Sequence, residues 1–452
     1  MNSPDQKRGR ESWGSRLGFI MAASGFAIGL GNIWRFPYLA GENGGGAFLL
    51  IYILIVILIG IPLFLVEAGL GRRAQSAAIT GLRKLNGKGN PWNSIGWLGT
   101  ITALLVMSYY LMIMGWLFAY FFKVALGSFQ GITSEQAAIV YEDFIANPAA
   151  VIGYTIIPTL ILGVIVAKGV KHGIEKFVKI AMPLFIVMLI ILAVFSLSLP
   201  GSVEGVVWYL KPDFSQITTG TVLDALGQAF FSIGIGMAAA FTYGSYLKPK
   251  KTNLAEDGLW VISLDTFIAF LSGLVIFPAL FAFQIAPNSG PGLIFITFPT
   301  LIDQMPFGNL FGILFFFLII IGALTTGIGL VETLAANIAE MLGIKRKTSV
   351  WIIIGATFTL SIPSILSQGP WSHIHIFGMD IFGFVDYFSG NILLTLGGLL
   401  LALYVVFKWK VKNFIDDVNI EGGIIKFPAA SKPIVTYIIP IVIVLIMITG
   451  LI

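Results

Sequence analysis

The sequence predicts an all-α polytopic membrane protein of eleven transmembrane helices, built as a 5+5 inverted repeat with discontinuous helices 1 and 6, plus an eleventh helix. Three observations carry this expectation. Of the 452 residues, 57% are hydrophobic and only 11% are charged, where soluble domains carry roughly 25% charged residues. Apolar runs of about twenty residues, enough to cross a bilayer core, recur along the chain. The first and sixth of these runs are interrupted at mid-depth by glycines and polar residues. They stand five spans apart, and an odd offset gives them opposite orientations. That is the pattern of an inverted repeat whose site lies between two broken helices.

In order, the spans fall at about 16–40, 46–70, 94–124, 150–168, 174–199, 219–246, 257–284, 307–341, 348–365, 377–407 and 431–451. Residues 1–15 form a cytoplasmic tail, 16–200 the first five-helix repeat and 219–407 the second, and 431–451 lies outside the repeat. The loop near 125–150 is long enough for a small external helix. The leading apolar run is too long for a cleaved signal and lacks a small-residue cleavage site.

Basic residues set the orientation. With the N-terminus inside, the cytoplasmic segments hold Lys7/Arg8/Arg10/Arg16, Arg72/Arg73/Arg83/Lys84/Lys88, Lys168/Lys171/Lys176/Lys179, Lys248/Lys250/Lys251, Lys345/Arg346/Lys347 and Lys408/Lys410/Lys412 with Lys426 and Lys432. Only Arg35, Lys123 and Lys211 of the 27 basic residues fall elsewhere. This alternation places the chain in the cell inner (plasma) membrane with its C-terminus outside. It also accounts for the net charge of +5, so nucleic acid is not an expected partner. Cysteine is absent, which excludes disulfides and thiol chemistry.

The first break runs from Gly25 to Pro37 and contains Gly29, Gly31, Asn32 and Arg35; the second spans Gln228 to Met237, with Ser232, Gly234 and Gly236. Unpaired backbone groups cost several kcal/mol in lipid and persist only against protein or a watery cavity. An arginine within a span costs roughly 3 kcal/mol on insertion scales and needs a polar partner. The paired breaks therefore read as a binding site for something small and charged. Free N–H groups at Leu30 and Gly31, opening the outer half of span one, suit a carboxylate.

The motifs then bring a family into view. They are Trp13-Gly14-Ser15-Arg16, Gly29-Leu30-Gly31-Asn32-Ile33-Trp34-Arg35-Phe36-Pro37, Glu42-Asn43-Gly44-Gly45-Gly46-Ala47-Phe48, Gly60-Ile61-Pro62 with Glu67, Gly173-Ile174-Glu175-Lys176, and Leu324-Thr325-Thr326. In this order, over nearly the whole chain, the sequence resembles the neurotransmitter:sodium symporters, in particular their eleven-span prokaryotic amino-acid carriers.

The resemblance implies two sodium sites. The first would use the Ala27 carbonyl, Asn32, Ser232 and Asp265 with the substrate carboxylate. The second would use carbonyls of Gly25, Ile28 and Gly322 and the hydroxyls of Thr325 and Thr326. Sodium is a hard cation that favours such oxygen donors. Asp265 stands where many members have asparagine, and Ala269 where chloride-dependent members have serine. A permanent carboxylate would replace the anion, so chloride is not expected.

For the substrate, the resemblance adds the Tyr110 hydroxyl at the carboxylate end and carbonyls around Ala27, Phe231, Ser232 and Gly234 at the ammonium end. Amine carriers in the family place an aspartate at the position of Gly29, so a monoamine is disfavoured. Val106, Ile113, Phe231, Gly234, Met237, Thr326 and Leu330 would line the side-chain end, with Gly234 adding room. They carry no charge, which points to hydrophobic amino acids, aromatic or branched aliphatic.

Alternating access requires closures on both sides of the site. Arg35 with Asp386 would close the outside, above Tyr110 and Phe231, and Arg10 with Glu340, beside Trp13 and Tyr246, the inside. Glu67 reads as a structural acceptor for backbone N–H groups freed by the breaks. Glu332 is either polar glue or part of coupling, and Gly173 with Pro183 marks either local unwinding or a kink. His373 and His375 lack a third metal ligand, no catalytic set stands out, and a channel would need a continuous polar lining. The chain is thus read as no enzyme but as a sodium-coupled, chloride-independent importer of hydrophobic L-amino acids. A non-transporting amino-acid sensor, or a carrier of another small carboxylate-bearing solute, is the alternative.

Overall fold

In a computed structural model, residues 11–249, 253–287, 290–419 and 423–449 are described. The spans follow the sequence order: α1 (Arg16–Ala27) and α2 (Gly31–Glu42), α3 (Gly46–Ala74), α4 (Pro91–Ala125), α5 (Pro148–Ala167), α6 (Val170–Leu197), α7 (Thr219–Ile233) and α8 (Ala239–Gly244), then α9 (Leu254–Ala282), α10 (Gly308–Leu342), α11 (Arg346–Ser367), α12 (Ile381–Trp409) and α13 (Ala429–Ile448). Among the described residues, nine of these are long and apolar enough to cross a membrane alone, and α1 with α2, bent by 49°, makes a tenth. The sixth segment is α7 and α8, each too short by itself, separated by residues 234–238. The short helix Ser134–Ile145 occupies the loop where one was expected.

Local chemistry explains the ends. Ser15 caps α1 by accepting from the Gly18 N–H, and Thr218 with Thr221 forms a reciprocal capping box at α7, each satisfying N–H groups that a helix start leaves unpaired. The chain leaves α7 through Gly234 at φ +71°, a left-handed conformation that glycine adopts without a Cβ penalty. It enters α8 through Ala238 at φ +58°, which does carry that penalty.

Packing puts polarity inside. α1 lies among α6, α9 and α10, and α3 packs on both α7 and α8. Asn32, Glu67, Gln228, Ser232, Asp265, Thr325 and Glu332 are all buried. The outward face of α6 carries Ile180 and Val194, both more than 60% exposed, and α13 lies at the rim against α12. Burying polar residues and exposing apolar ones suits a solvent of hydrocarbon.

Candidate functional site

The breaks in the first and sixth segments meet at the centre of the molecule. After Ala27 the backbone turns extended at Ile28 (φ −78°, ψ 96°), then resumes as one wide π-helical turn, Gly31–Arg35. Side chains from neighbouring helices take over the freed groups. Gln228 Nε2 donates to the Gly31 carbonyl at 2.7 Å, and Ser272 Oγ donates to the Asn32 carbonyl. In the second break, the Gly236 N–H donates to Glu67 Oε2 at 3.0 Å, the kind of bond expected of Glu67. Neither Gln228 nor Ser272 was picked out as a site residue. A polar side chain in an otherwise apolar run was the signal available for each.

Asn32, Ser232 and Asp265 form one buried cluster. Asn32 Nδ2 donates to Asp265 Oδ1 at 2.8 Å and to its carbonyl at 2.9 Å. Ser232 Oγ lies 2.9 and 3.1 Å from the two carboxylate oxygens and 3.3 Å from Asn32 Oδ1. Among the described residues, every hydrogen bond to this carboxylate comes from a neutral group. A buried charge without a counter-charge is costly. Neutral and anionic oxygens around it make a donor set suited to a hard monovalent cation.

The second predicted set also converges. Thr325 Oγ1 donates to the Gly322 carbonyl at 2.8 Å and reaches the Ile28 carbonyl at 3.4 Å. Thr326 Oγ1 donates to the Phe26 carbonyl at 2.8 Å. Gly25 abuts the same place, since a Cβ there would lie 3.3 Å from Thr325 Cβ. The hydroxyls of α10 thus face the carbonyls of the α1 break.

Between these clusters lies a narrow cavity, with about 20 Å³ open to the centre of a water molecule. Ala27, Gly29, Leu30, Gly31, Val106, Tyr110, Phe231, Ser232, Met237, Thr326 and Leu330 line it, as expected, together with Phe26, which was not. Ile113 is buried outside this wall. Gly234 is outside it too, and the expectation that it adds room is corrected: a Cβ there would overlap the Phe26 ring, which already fills the space. At Gly29 a Cβ would overlap Thr326 Oγ1, so no larger residue fits without displacing that hydroxyl. Among the described residues, no charged side chain lines the cavity.

The model of the sodium:neurotransmitter symporter family matches residues 10–132 and 144–452. The chain belongs to this family. Among the relatives of this symporter, sodium-dependent transporters of Bacillus subtilis and Haemophilus influenzae are each 38% identical to it. The first alignment covers 90% of both chains and the second 98% of both. The human sodium- and chloride-dependent creatine transporter 1 is 28% identical over 90% of this chain and 72% of its own. A crystal structure of MhsT in complex with L-phenylalanine superposes with a TM-score of 0.89 at 39% identity, covering 98% of this chain and all of the other. The protein is therefore a sodium-dependent membrane symporter and not an enzyme.

The expected gates of this symporter are only partly assembled. Outside, the Arg35 guanidinium stacks 5.1 Å over the Phe231 ring and donates to the Gly227 carbonyl at 3.3 Å. It lies within electrostatic reach of Asp386, yet among the described residues the two make no direct ion pair within 4.0 Å. Inside, Arg10 lies outside the described residues. Glu340 accepts from the Ala77 N–H at 2.9 and 3.0 Å and from Thr80 Oγ1. Trp13 packs edge-on against Tyr243 and Tyr246 and donates its indole N–H to the Tyr243 carbonyl at 3.0 Å. Tyr246 instead donates to Glu332, whose carboxylate also takes the Arg346 guanidinium. Arg346 was legible only as one of a cytoplasmic basic cluster, because its partner lies 14 residues away on another helix.

Proposed function

We propose that this symporter imports hydrophobic L-amino acids, driven by sodium and independent of chloride. The observation that carries the reading is the buried Asp265–Asn32–Ser232 cluster, placed beside an uncharged cavity whose wall includes the backbone of Gly29, Leu30 and Gly31. The wall offers N–H groups for a carboxylate and apolar side chains for the rest of a zwitterion. The phenylalanine bound to MhsT supports the same substrate class.

In this reading the first sodium is held by the Ala27 carbonyl, Asn32, Ser232, Asp265 and the substrate carboxylate, which couples the two cargoes directly. A second sodium is held by Gly25, Ile28, Gly322, Thr325 and Thr326, and ties the broken α1 to the continuous α10. Tyr110 donates to the substrate carboxylate and carbonyls around Phe231 and Ser232 accept from the ammonium. Release of the second sodium frees α1 to swing, opening the inner side, where the contacts of Trp13, Tyr246 and Glu332 must break. Arg35 and Asp386 close the outer side across Phe231. Residues 16–200 and 219–407 act as the two inverted repeats. The N-terminus faces the cytoplasm and the C-terminus the outside of the inner membrane.

The test is uptake of a panel of labelled amino acids into proteoliposomes under an inward sodium gradient, with chloride replaced by gluconate. Sodium-dependent accumulation of hydrophobic amino acids is expected. Sodium-dependent binding without accumulation would instead favour a sensor.

A further inference from the structure

Away from the central cavity, a groove of about 270 Å³ runs between three spans that are far apart in the chain. Its walls are Ile57, Leu58, Ile61 and Leu65 of α3, Leu259 of α9 and Ile434 of α13. Ile57 and Leu58 are 53% and 41% exposed, so the groove opens on the outer surface, where a membrane protein meets hydrocarbon. Along this wall α3 takes a wide π-helical turn at Val56–Gly60, followed by Pro62, and both features disturb the regular ladder of a helix. From Ile57 to Leu65 the groove follows α3 for about 12 Å at 1.5 Å per residue, close to one leaflet's share of a hydrocarbon core of about 30 Å. The polar residues of its lining are Lys426 and Ser431, and the Ser431 hydroxyl already donates to the Pro428 carbonyl at 2.6 Å. Lys426 is left as the polar handle.

Lys426 is held in place from both sides. Asn253 Nδ2 donates to the Ile425 carbonyl at 3.4 Å. Asn419 donates to the Phe427 carbonyl at 2.9 Å and accepts from the Phe427 N–H at 2.8 Å, and the Phe427 ring packs on Phe414 with centroids 5.5 Å apart. Ile424 is 96% exposed and Ile425 40%; apolar side chains standing out beside a lysine suit a membrane boundary. Glu256, which abuts Gly423 in the same loop, is paired with Arg16 at 2.7 Å. Among the described residues, no carboxylate lies within 4.0 Å of the Lys426 ammonium. We infer that the groove seats one acyl chain of an anionic phospholipid, whose phosphate is bound by Lys426. A free phosphate would have no use for the apolar walls, and a neutral lipid none for the lysine. The inference is independent of what the central cavity carries.

The experiment titrates the purified full-length protein in detergent with phosphatidylglycerol and, separately, with phosphatidylcholine of the same acyl chains. Binding of the first lipid is read by native mass spectrometry. One lysine beside an anionic headgroup changes affinity about fivefold, so the wild type is expected to prefer phosphatidylglycerol by about that factor. Lys426→Gln should bring the two lipids to near equality without altering phosphatidylcholine binding. Lys347→Gln removes an exposed lysine that is not part of the groove and should keep the preference. Ile61→Trp fills the groove and should weaken both lipids about tenfold, the equivalent of two methylene groups kept out. Equal binding of the two lipids by the wild type overturns the inference, as does a preference that survives Lys426→Gln or is lost equally in Lys347→Gln. Unchanged binding of both lipids by Ile61→Trp overturns it too. Where tryptophan is not tolerated, Leu259→Phe on the facing wall must weaken both lipids in the same direction, and no loss overturns the inference equally.

Discussion

Asp265→Asn removes one charge from a buried cluster while keeping its shape. The wild-type carboxylate accepts from Asn32 Nδ2 and Ser232 Oγ, and an amide retains one oxygen for these donors. What it loses is attraction for a bound cation. Opposite unit charges about 4 Å apart attract by roughly 4 kcal/mol at an effective dielectric near 20, equivalent to about a thousandfold in affinity. The carboxylate's own desolvation in the wild type offsets part of this, so a loss of sodium affinity of about ten- to a hundredfold is expected. The assay is sodium titration of amino-acid binding in purified protein, in gluconate and again in chloride. Chloride is expected to restore part of the loss, as an anion replacing the missing charge, though Ala269 offers no hydroxyl to hold it firmly. Sodium affinity within about twofold of wild type in both salts, with no chloride response, would refute the reasoning.

Three further outcomes follow from the geometry. Gly29→Asp places a side chain on Thr326 Oγ1 and an anion beside the carboxylate end of the cavity, so amino-acid affinity should fall about a hundredfold or more in a binding assay. Glu67→Leu strips the Gly236 N–H of its acceptor and should cost about 1–3 kcal/mol in thermal unfolding, with Glu67→Gln costing less because it still accepts. Glu332→Leu leaves the partly buried Arg346 guanidinium with only Glu11, 3.9 Å away, as a carboxylate neighbour and should cost about 2–3 kcal/mol, whereas Glu332→Leu with Arg346→Met should lose less than either single change. Equal losses for the single and double replacements would show that the pair does not act as a unit.

The breaks were legible because their cause is local. Gly234 and Gly236 stand two apart beside Ser232 at mid-depth, where two residues free to take positive φ let the helix stop, and Asn32, Ser232 and Asp265 are conspicuous polar residues in apolar runs. Glu67 was readable for the same reason. Phe26 was not, because a phenylalanine in a membrane span is ordinary, and only the packing of Gly234 and Gly329 around it makes it a wall. The same packing reversed the meaning of Gly234, from space for a substrate to space for a ring. Arg346 was hidden differently: a basic residue near a helix start already had an explanation in topology, and its pairing with the buried Glu332 arises only when α10 and α11 pack. Ion pairs depend on distance in space, which charge patterning along the chain does not encode.

The unbroken α10 has a practical consequence. Its 35 residues span roughly 52 Å at 1.5 Å per residue, well beyond a hydrocarbon core of about 30 Å. One unbroken helix therefore runs past the site, carrying Thr325 and Thr326 in its middle and ending near Phe307 and Leu342, which are 81% and 62% exposed. It is a continuous reference beside the two segments that break. Because the chain has no cysteine, a single thiol introduced at either tip would be the sole attachment point for a probe. Displacements of the broken helices can then be read in the frame of reference of a helix that has no break.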